Sequence, residues 1–275
     1  MDGQSIHRVP AKFATMLIEL LVVTIGGLLA SFINAAFATG GIYIILASSS
    51  LIFPLAVAIP LQSAFAFASL AARIVYFRPY IYWPLVGLFA AGSVVGVAIG
   101  SSVFVALPEA TIALLLGFLL LLLIWFPSGS DNSSSNNENQ PGTSDDKATA
   151  ATISVNPIFL PVGVAHSFLG TVFGVGTLLQ PTILRTRLSK LQITGTLAAC
   201  LLIMDVFKLT GYMTVGFDYS EYWPHIVCAT IAGFAGTVAG KRVTHRVSEK
   251  TFRVVFKCLI TLVAIRLIYR GFILW

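Results

Sequence analysis

Charged residues are scarce in this sequence of 275 residues: they make up 10% of it, while hydrophobic residues make up 57%. A soluble domain carries about 25% charged residues, so this chain lacks the polar side chains that would cover a core in water. The shortage excludes an ordinary soluble protein and indicates that lipid surrounds much of the surface. We therefore expect a multi-pass integral membrane protein of the cell membrane.

Motifs for catalysis and for cofactors are missing as well. The sequence contains no HExxH, Walker A or GxSxG motif and no dinucleotide-binding turn, and its three cysteines lack the spacing of metal ligands. We predict that the protein is not an enzyme and uses no cofactor. The net charge of +6 is scattered between apolar runs and forms no basic face with interleaved aromatics, which excludes a nucleic-acid-binding protein.

Long apolar runs dominate what is present, and a helix needs about 20 such residues to cross a bilayer. The runs 42–53 and 178–184 are too short to cross and are interpreted as parts of broken or re-entrant segments. This interpretation predicts an all-α fold of about eight transmembrane helices, four in each of two parallel halves. If the short runs cross independently, each half has five segments and the halves are inverted.

A polar linker separates the two halves. Residues 128–152 are rich in Ser, Asn and Asp, and such a segment cannot offset its ordering entropy by burial, so we expect it to be disordered. The flanking regions, 13–127 and 153–275, repeat features in the same order: Ser-Phe pairs begin at Ser31 and Ser167, and Tyr-Trp-Pro triplets begin at Tyr82 and Tyr222. This duplication indicates two transmembrane repeats with a transport site between them.

The distribution of basic residues predicts an orientation. Lys and Arg cluster in 185–190 and in 241–250, and the positive-inside rule places both clusters in the cytoplasm. The linker and the acidic segment 218–221 are then expected outside. That arrangement also leaves Arg8, Lys12 and Arg78 outside, against the rule.

Glycine pairs interrupt an apolar run at the same place in each half, after Thr39 and before Thr177. Unwound backbone at membrane depth is tolerated only where it is buried in protein or lines a cavity, and the helix that follows can bind an anion at its N-terminus. The alternative is close helix packing through small residues. We predict that the substrate is bound by the breaks and their polar neighbours: Asn34, Thr39, Gly40, Gly41, Gln62, Ser63, Gly174, Gly176, Thr177, Gln180, Thr194 and Thr196.

Few charges lie inside the predicted spans. Asp205 and Lys208 are three residues apart, share a helix face and can pair, and Arg73 has a similar place in the first half. We interpret these three residues as coupling or charge-relay groups. The alternatives are a self-neutralised structural pair and an arginine that snorkels to the interface. A lone histidine, His166, is interpreted as a hydrogen-bonded structural residue.

The segments SFINAAFATGG and SFLGTVFGVGT, together with the Gly96/Gly100 and Gly236/Gly240 spacings, resemble the TauE/SafE family of sulfite-exporter-like permeases. The resemblance implies movement of sulfite, sulfonates and related small anions. We predict a permease that exports such an anion. A proton-coupled importer of an organic acid or sulfonate and a non-transporting membrane scaffold are the alternatives. The expected partners are the anion and the lipid bilayer, and homo-oligomerisation is left open.

Overall fold

The computed structural model describes residues 8–37, 40–125, 157–243 and 249–275. Every regular element in these ranges is helical, and two short 3-10 turns precede α4 and α9. The α-helices are α1 (Arg8–Phe37), α2 (Gly41–Ile52), α3 (Leu55–Phe77), α4 (Trp83–Ala106), α5 (Glu109–Trp125), α6 (Phe159–Phe173), α7 (Leu179–Ile183), α8 (Lys190–Thr214), α9 (Trp223–Val243) and α10 (Glu249–Leu274).

Within the described residues, five helices are long and apolar enough to cross a membrane, and three shorter apolar helices accompany them. Their outer faces carry large exposed side chains such as Ile18, Leu122 and Ile231, because lipid rather than water is the solvent for these faces. The expected all-helical membrane protein is therefore confirmed. The five spans are Thr15–Ala35, Leu55–Tyr80, Trp83–Ala106, Leu191–Thr214 and Tyr219–Gly240.

Glycine seams join helices of the two halves in parallel pairs. On α4, a Cβ at Gly92 would overlap the carbonyl oxygen of Leu160, and further along the helix a Cβ at Gly100 would press on Thr171, so α4 and α6 run in the same direction. The seam between α1 and α9 is built in the same way, with Gly27 against Ala229 near its start and Gly240 against Phe32 near its end. Small residues allow these backbones to approach closely.

Two further contacts fix the direction of α3 and α8. The amide of Tyr82, just before α4, donates to the hydroxyl of Thr196 near the start of α8, and Gly211 near the end of α8 lies against Val97, so α8 runs parallel to α4. The last turn of α3 lies beside the start of α8, where Phe77 contacts Gly195, so α3 and α8 are antiparallel.

Contacts between α3 and α9 and between α5 and α10 give the directions of the remaining helices. The hydroxyl oxygens of Ser69 on α3 and Thr237 on α9 lie 3.4 Å apart. The hydroxyl of Tyr219, just before α9, donates to the carbonyl of Pro60 near the start of α3. Helices α3 and α9 are therefore parallel. In contrast, α5 and α10 are antiparallel: Gly271 near the end of α10 lies against Ala110 near the start of α5, and Gly117 further along α5 lies against Ala264, earlier in α10.

Corresponding helices of the two halves therefore run in opposite directions. This holds for α1 and α6, α3 and α8, α4 and α9, and α5 and α10. The parallel arrangement expected from four spans per half is wrong for these helices, because α2 and α7 return the chain through the bundle and α1 and α3 share one direction. Composition alone could not show this, since the short runs of α2 and α7 do not reveal whether the chain returns.

We define the basic end as the end at which α3 finishes and α4 and α8 begin. Arg78 lies there, in a short 3-10 turn that contacts α8, and Arg185 and Arg187 lie in the loop that precedes α8. Helix α5 starts at the other end, where the carboxylate of Glu109 accepts a hydrogen bond from the amide of Leu55, so α5 finishes at the basic end.

The described helix ends correct the expected orientation. Helices α5 and α6, which flank the linker, both meet the basic end. The expectation that the linker lies opposite the basic clusters is therefore wrong for the described helix ends around it, and Arg78 no longer opposes the positive-inside rule. The linker itself, 128–152, and the terminal Arg8 and Lys12 side chains lie outside the part of the structure described in detail.

Candidate functional site

Both predicted breaks are present, and a left-handed glycine forms each of them. Gly40 has φ 96° and is the residue before α2, and Gly174 has φ 73° and is the residue after α6. Side-chain-bearing residues rarely adopt this conformation, which explains why both halves place glycine there. The breaks lie between α1 and α2 and between α6 and α7, so non-helical backbone lines a cavity inside the bundle.

A cavity of about 110 Å³ lies where the two breaks meet. Its walls come from α1, α2, α3, α6, α7 and α8, and on α3 and α8 the lining residues belong to the parts nearer the basic end. Eight of the residues predicted to bind substrate or relay charge line it: Asn34, Gly40, Gly41, Arg73, Gly174, Gly176, Gln180 and Asp205.

Gln62 connects the two breaks from behind the cavity wall. Its side-chain amide donates to the carbonyl of Ile42 in the first turn of α2, at 3.0 Å. Its oxygen faces the other break, where a Cβ on Gly174 would lie 2.5 Å from it. Gln62 is therefore placed to hold the two breaks in register rather than to line the cavity.

The remaining predicted residues lie elsewhere. Thr196 is fully buried and accepts the Tyr82 amide hydrogen at 2.9 Å, which ties α8 to α4. Thr177 and Thr194 are half-buried and are not among the lining residues. Ser63 is buried beside the carboxylate of Asp205. Thr39 lies outside the described residues.

The charges around the cavity do not cancel. Lys208 is 1% exposed, and its amine lies 3.9 Å from the carboxylate of Asp205, which itself lines the cavity. Arg73 is also buried and lines the cavity, and no carboxylate in the described residues lies within ion-pair distance of it. With these groups ionised, Arg73 and Asp205 line the cavity and Lys208 lies beside Asp205, so the local charge is net positive and favours an anionic ligand.

His166 is the lining residue whose role the sequence did not reveal. Its Nδ1 accepts the backbone hydrogen of Leu179 at 3.1 Å, and Phe89 packs edge-on against the ring at 5.7 Å between centroids. Its Nε2 is buried and has no hydrogen-bond partner among the described residues. A polar residue next to a glycine break was the only available signal, and it did not tell a structural histidine from a ligand-facing one.

The side of the cavity away from the basic end is closed by packing. Tyr212 on α8 is fully buried, and its hydroxyl donates to the carbonyl of Thr171 on α6 at 2.5 Å. Leu46, Ile59 and Val175 belong to the same buried cluster. This cluster separates the central cavity from a second one of about 270 Å³, which is lined by Glu109, Phe104, Tyr212 and Phe217 among others.

Apolar helices that surround a cavity at broken segments, with buried charged side chains in its wall, are the architecture of a membrane transporter. The chain belongs to the sulfite exporter TauE/SafE family, since the model of that family matches residues 23–267. The resemblance found in the sequence is thereby confirmed. Members of this family are membrane transporters of sulfur-containing anions rather than enzymes. No curated protein and no solved structure matches the chain.

Proposed function

We propose that the protein is a permease that exports sulfite, or a closely related sulfonate or other organosulfur anion, across the cell membrane through the central cavity. The observation that carries this proposal is the set of groups at the two breaks. Arg73 faces the cavity without a described carboxylate partner, and the amides of Gly41 and Ile42, the first two of α2, have no acceptor within their own helix. Both features suit an oxyanion.

The size of the cavity supports a small substrate. Its volume of about 110 Å³ has room for an inorganic oxyanion with one or two waters, or for a short sulfonate. The partial positive charge at the start of α2 adds to the field of Arg73, and Asn34 and Gln180 line the cavity with amide groups that can donate hydrogen bonds. The volume of the cavity and the positive charge of Arg73 therefore both favour a small anion.

The direction of transport follows from the membrane potential. Moving one elementary charge is worth about 2.3 kcal/mol per 100 mV, so an anion leaves a negative interior without a coupled ion. The positive-inside rule places the basic end in the cytoplasm, and the cavity lies towards that end. We therefore expect the substrate to load from the cytoplasm, with the Tyr212 cluster as the closed outer side.

The architecture we propose reconciles the two span counts. Eight helices cross the membrane, and α2 and α7 return the chain as segments shortened by the breaks, so each half has five segments and the halves are inverted repeats. The antiparallel directions of corresponding helices support this arrangement. The repeats correspond to 13–127 and 153–275, and the described ends of α5 and α6, which flank the linker 128–152 in the sequence, lie on the cytoplasmic side in this proposal.

A proton-coupled importer of an organic acid or sulfonate is the second candidate. The observation that favours it is the buried Asp205–Lys208 pair, because an ionisable pair inside a membrane protein can carry a proton. In that case uptake would require an inward pH gradient. A non-transporting scaffold would show no flux at all with any small anion.

Counterflow in proteoliposomes tests the proposed function. Vesicles that contain the purified protein and unlabelled sulfite are diluted into trace radiolabelled sulfite, and we expect transient, saturable accumulation of label. Competition by short sulfonates and by carboxylates then ranks the substrate class. Label that equilibrates no faster than in protein-free vesicles, with all of these anions, would exclude a permease for them.

A further inference from the structure

The orientation of His166 fixes where its proton lies. Nδ1 accepts a hydrogen bond from the backbone N–H of Leu179 at 3.1 Å, so this nitrogen presents its lone pair. In a neutral imidazole the hydrogen must then be on Nε2. A second proton on Nδ1 would break the bond to Leu179 and would place a cation in the neighbourhood of Lys208. The surroundings therefore keep His166 neutral, with Nε2 as a hydrogen-bond donor.

That donor has no acceptor among the described residues. His166 is 3% exposed, it lines the central cavity, and its Nε2 is buried without a partner. Leaving a buried donor unpaired is unfavourable, and native structures pair almost all such groups. An acceptor supplied by a ligand would remove this cost.

The second break is shaped around this imidazole. A Cβ on Gly176 would lie 2.5 Å from Nε2 and 2.6 Å from the adjacent ring carbon. Gly176 does not have a positive φ, so its lack of a side chain is explained by this close approach. Gly176 and His166 both line the cavity, so the Nε2 edge of the imidazole lies at the cavity wall, next to the Gly176 backbone.

We propose that Nε2–H of His166 donates a hydrogen bond to an oxygen of the transported sulfur oxyanion, which makes His166 a substrate-binding residue. This inference rests on the permease proposed above. As a neutral donor, His166 provides recognition without adding charge, so the anion is held by hydrogen bonds on the α6 side and by Arg73 on the α3 side. Binding of this kind is weak enough for release, as transport requires.

Two substitutions of His166 test the acceptor role of Nδ1 and the donor role of Nε2 independently. In His166→Asn, the side-chain oxygen can still accept the Leu179 hydrogen, but the Nε2 donor is lost. In His166→Gln, the amide nitrogen reaches the position of Nε2 and keeps a donor there. A hydrogen bond to a charged group is worth about tenfold or more in affinity. We expect His166→Asn to raise the KM for sulfite about tenfold or more with Vmax within about twofold, and His166→Gln to recover most of the affinity.

The same vesicles distinguish the possible failures. If the wild-type protein shows no saturable sulfite flux, the proposed function fails and this inference fails with it. If the wild type transports and His166→Asn has an unchanged KM, only the inference fails. The inference also fails if both variants lose Vmax at unchanged KM, because that result would mean that His166 stabilises the second break without binding the substrate.

A spectroscopic measurement covers the case in which His166→Asn does not fold. The chain has four histidines, and 15N labelling of histidine in the wild type, with His166→Gln to assign the signal, reports the tautomer directly. We expect an Nε2–H tautomer whose nitrogen resonance shifts when sulfite is added. A His166 resonance that is insensitive to saturating sulfite would overturn the inference.

Discussion

At Gly176 the backbone passes so close to His166 that no side chain fits between them. Gly40 and Gly174 are required for a different reason, since their positive φ angles are unfavourable for other residues. These positions show two separate physical uses of glycine at the breaks. The sequence indicated that both breaks matter, but not which glycine serves conformation and which serves close approach.

Gly176→Ala tests the close approach. The added methyl group overlaps the imidazole, so we expect sulfite flux to fall about tenfold or more in a protein that still inserts and elutes as the wild type does. Gly87→Ala is the matched control, because a Cβ there meets nothing within 4 Å. Equal flux in both variants, measured at matched protein density, would show that the break tolerates the methyl group.

Arg73 is the cation we expect the substrate to contact. Arg73→Gln removes the charge while keeping a polar side chain, and we expect the KM for sulfite to rise about tenfold or more, with Arg73→Lys in between. Arg185→Gln is the control, since it removes the same charge from an exposed position at the basic end. If both Gln variants change the KM equally, a general surface effect rather than a cavity contact is responsible.

Sequence reasoning worked best for residues that break a pattern. Glycines inside apolar runs marked the cavity, and rare charges inside spans marked Arg73 and Asp205. It worked less well for Thr196, which binds the backbone before α4, because a hydroxyl near a break has the same appearance whether it faces a cavity or a neighbouring helix. Only the packing of α8 on α4 shows that the Thr196 hydroxyl faces a neighbouring helix rather than the cavity.

At the scale of elements, two glycine seams bring the halves together. The spacing of Gly92, Gly96 and Gly100 lets α4 approach the backbone of α6, and Gly236 and Gly240 do the same for α9 on α1. A G-x-x-x-G spacing is typical of close helix contact in membranes, because small residues let two backbones approach. It could not name the partner helix, since each seam joins elements that are far apart in the chain.

Gly96→Leu should separate α4 from α6. A Cβ at Gly96 already overlaps the carbonyl of Val164, so a leucine cannot be accommodated by a rotamer change, and overpacking costs typically 1–3 kcal/mol or more. We expect a lower thermal unfolding temperature in detergent and loss of flux. Gly87→Leu adds the same side chain to an exposed part of α4 and is expected to leave both unchanged. A Gly96→Leu protein as stable as the control would contradict the seam.

At the scale of the whole molecule, whether the helices before and after the linker run in parallel or opposite directions depends on α2 and α7. Their apolar runs are short because each break replaces part of a membrane-crossing helix. From the sequence, this shortness favoured four spans per half and therefore a parallel arrangement. The contacts at the helix ends give the opposite result. Hydropathy measures how much of a segment is apolar, whereas direction depends on which segments meet in space, so the sequence alone could not decide it.

Cysteine labelling tests the orientation. In a cysteine-free background we expect a cysteine at Arg185 to react only from the cytoplasmic side and a cysteine at Asp218 only from outside, since these exposed residues lie at opposite ends of the bundle. A membrane-impermeant maleimide applied to whole cells and to inverted vesicles gives both readings. Labelling of both positions from one side would contradict the helix directions, and exchanged sides would reverse the proposed direction of loading.

The central claim is that the cavity passes a sulfur oxyanion down its electrical gradient. The most direct measurement is the flux of radiolabelled sulfite in proteoliposomes, with potassium and valinomycin setting the potential and with the pH gradient set separately. We predict saturable flux that follows the potential at zero pH gradient and falls in Gly176→Ala. Flux that requires a pH gradient and ignores the potential would contradict the account and would favour a proton-coupled importer.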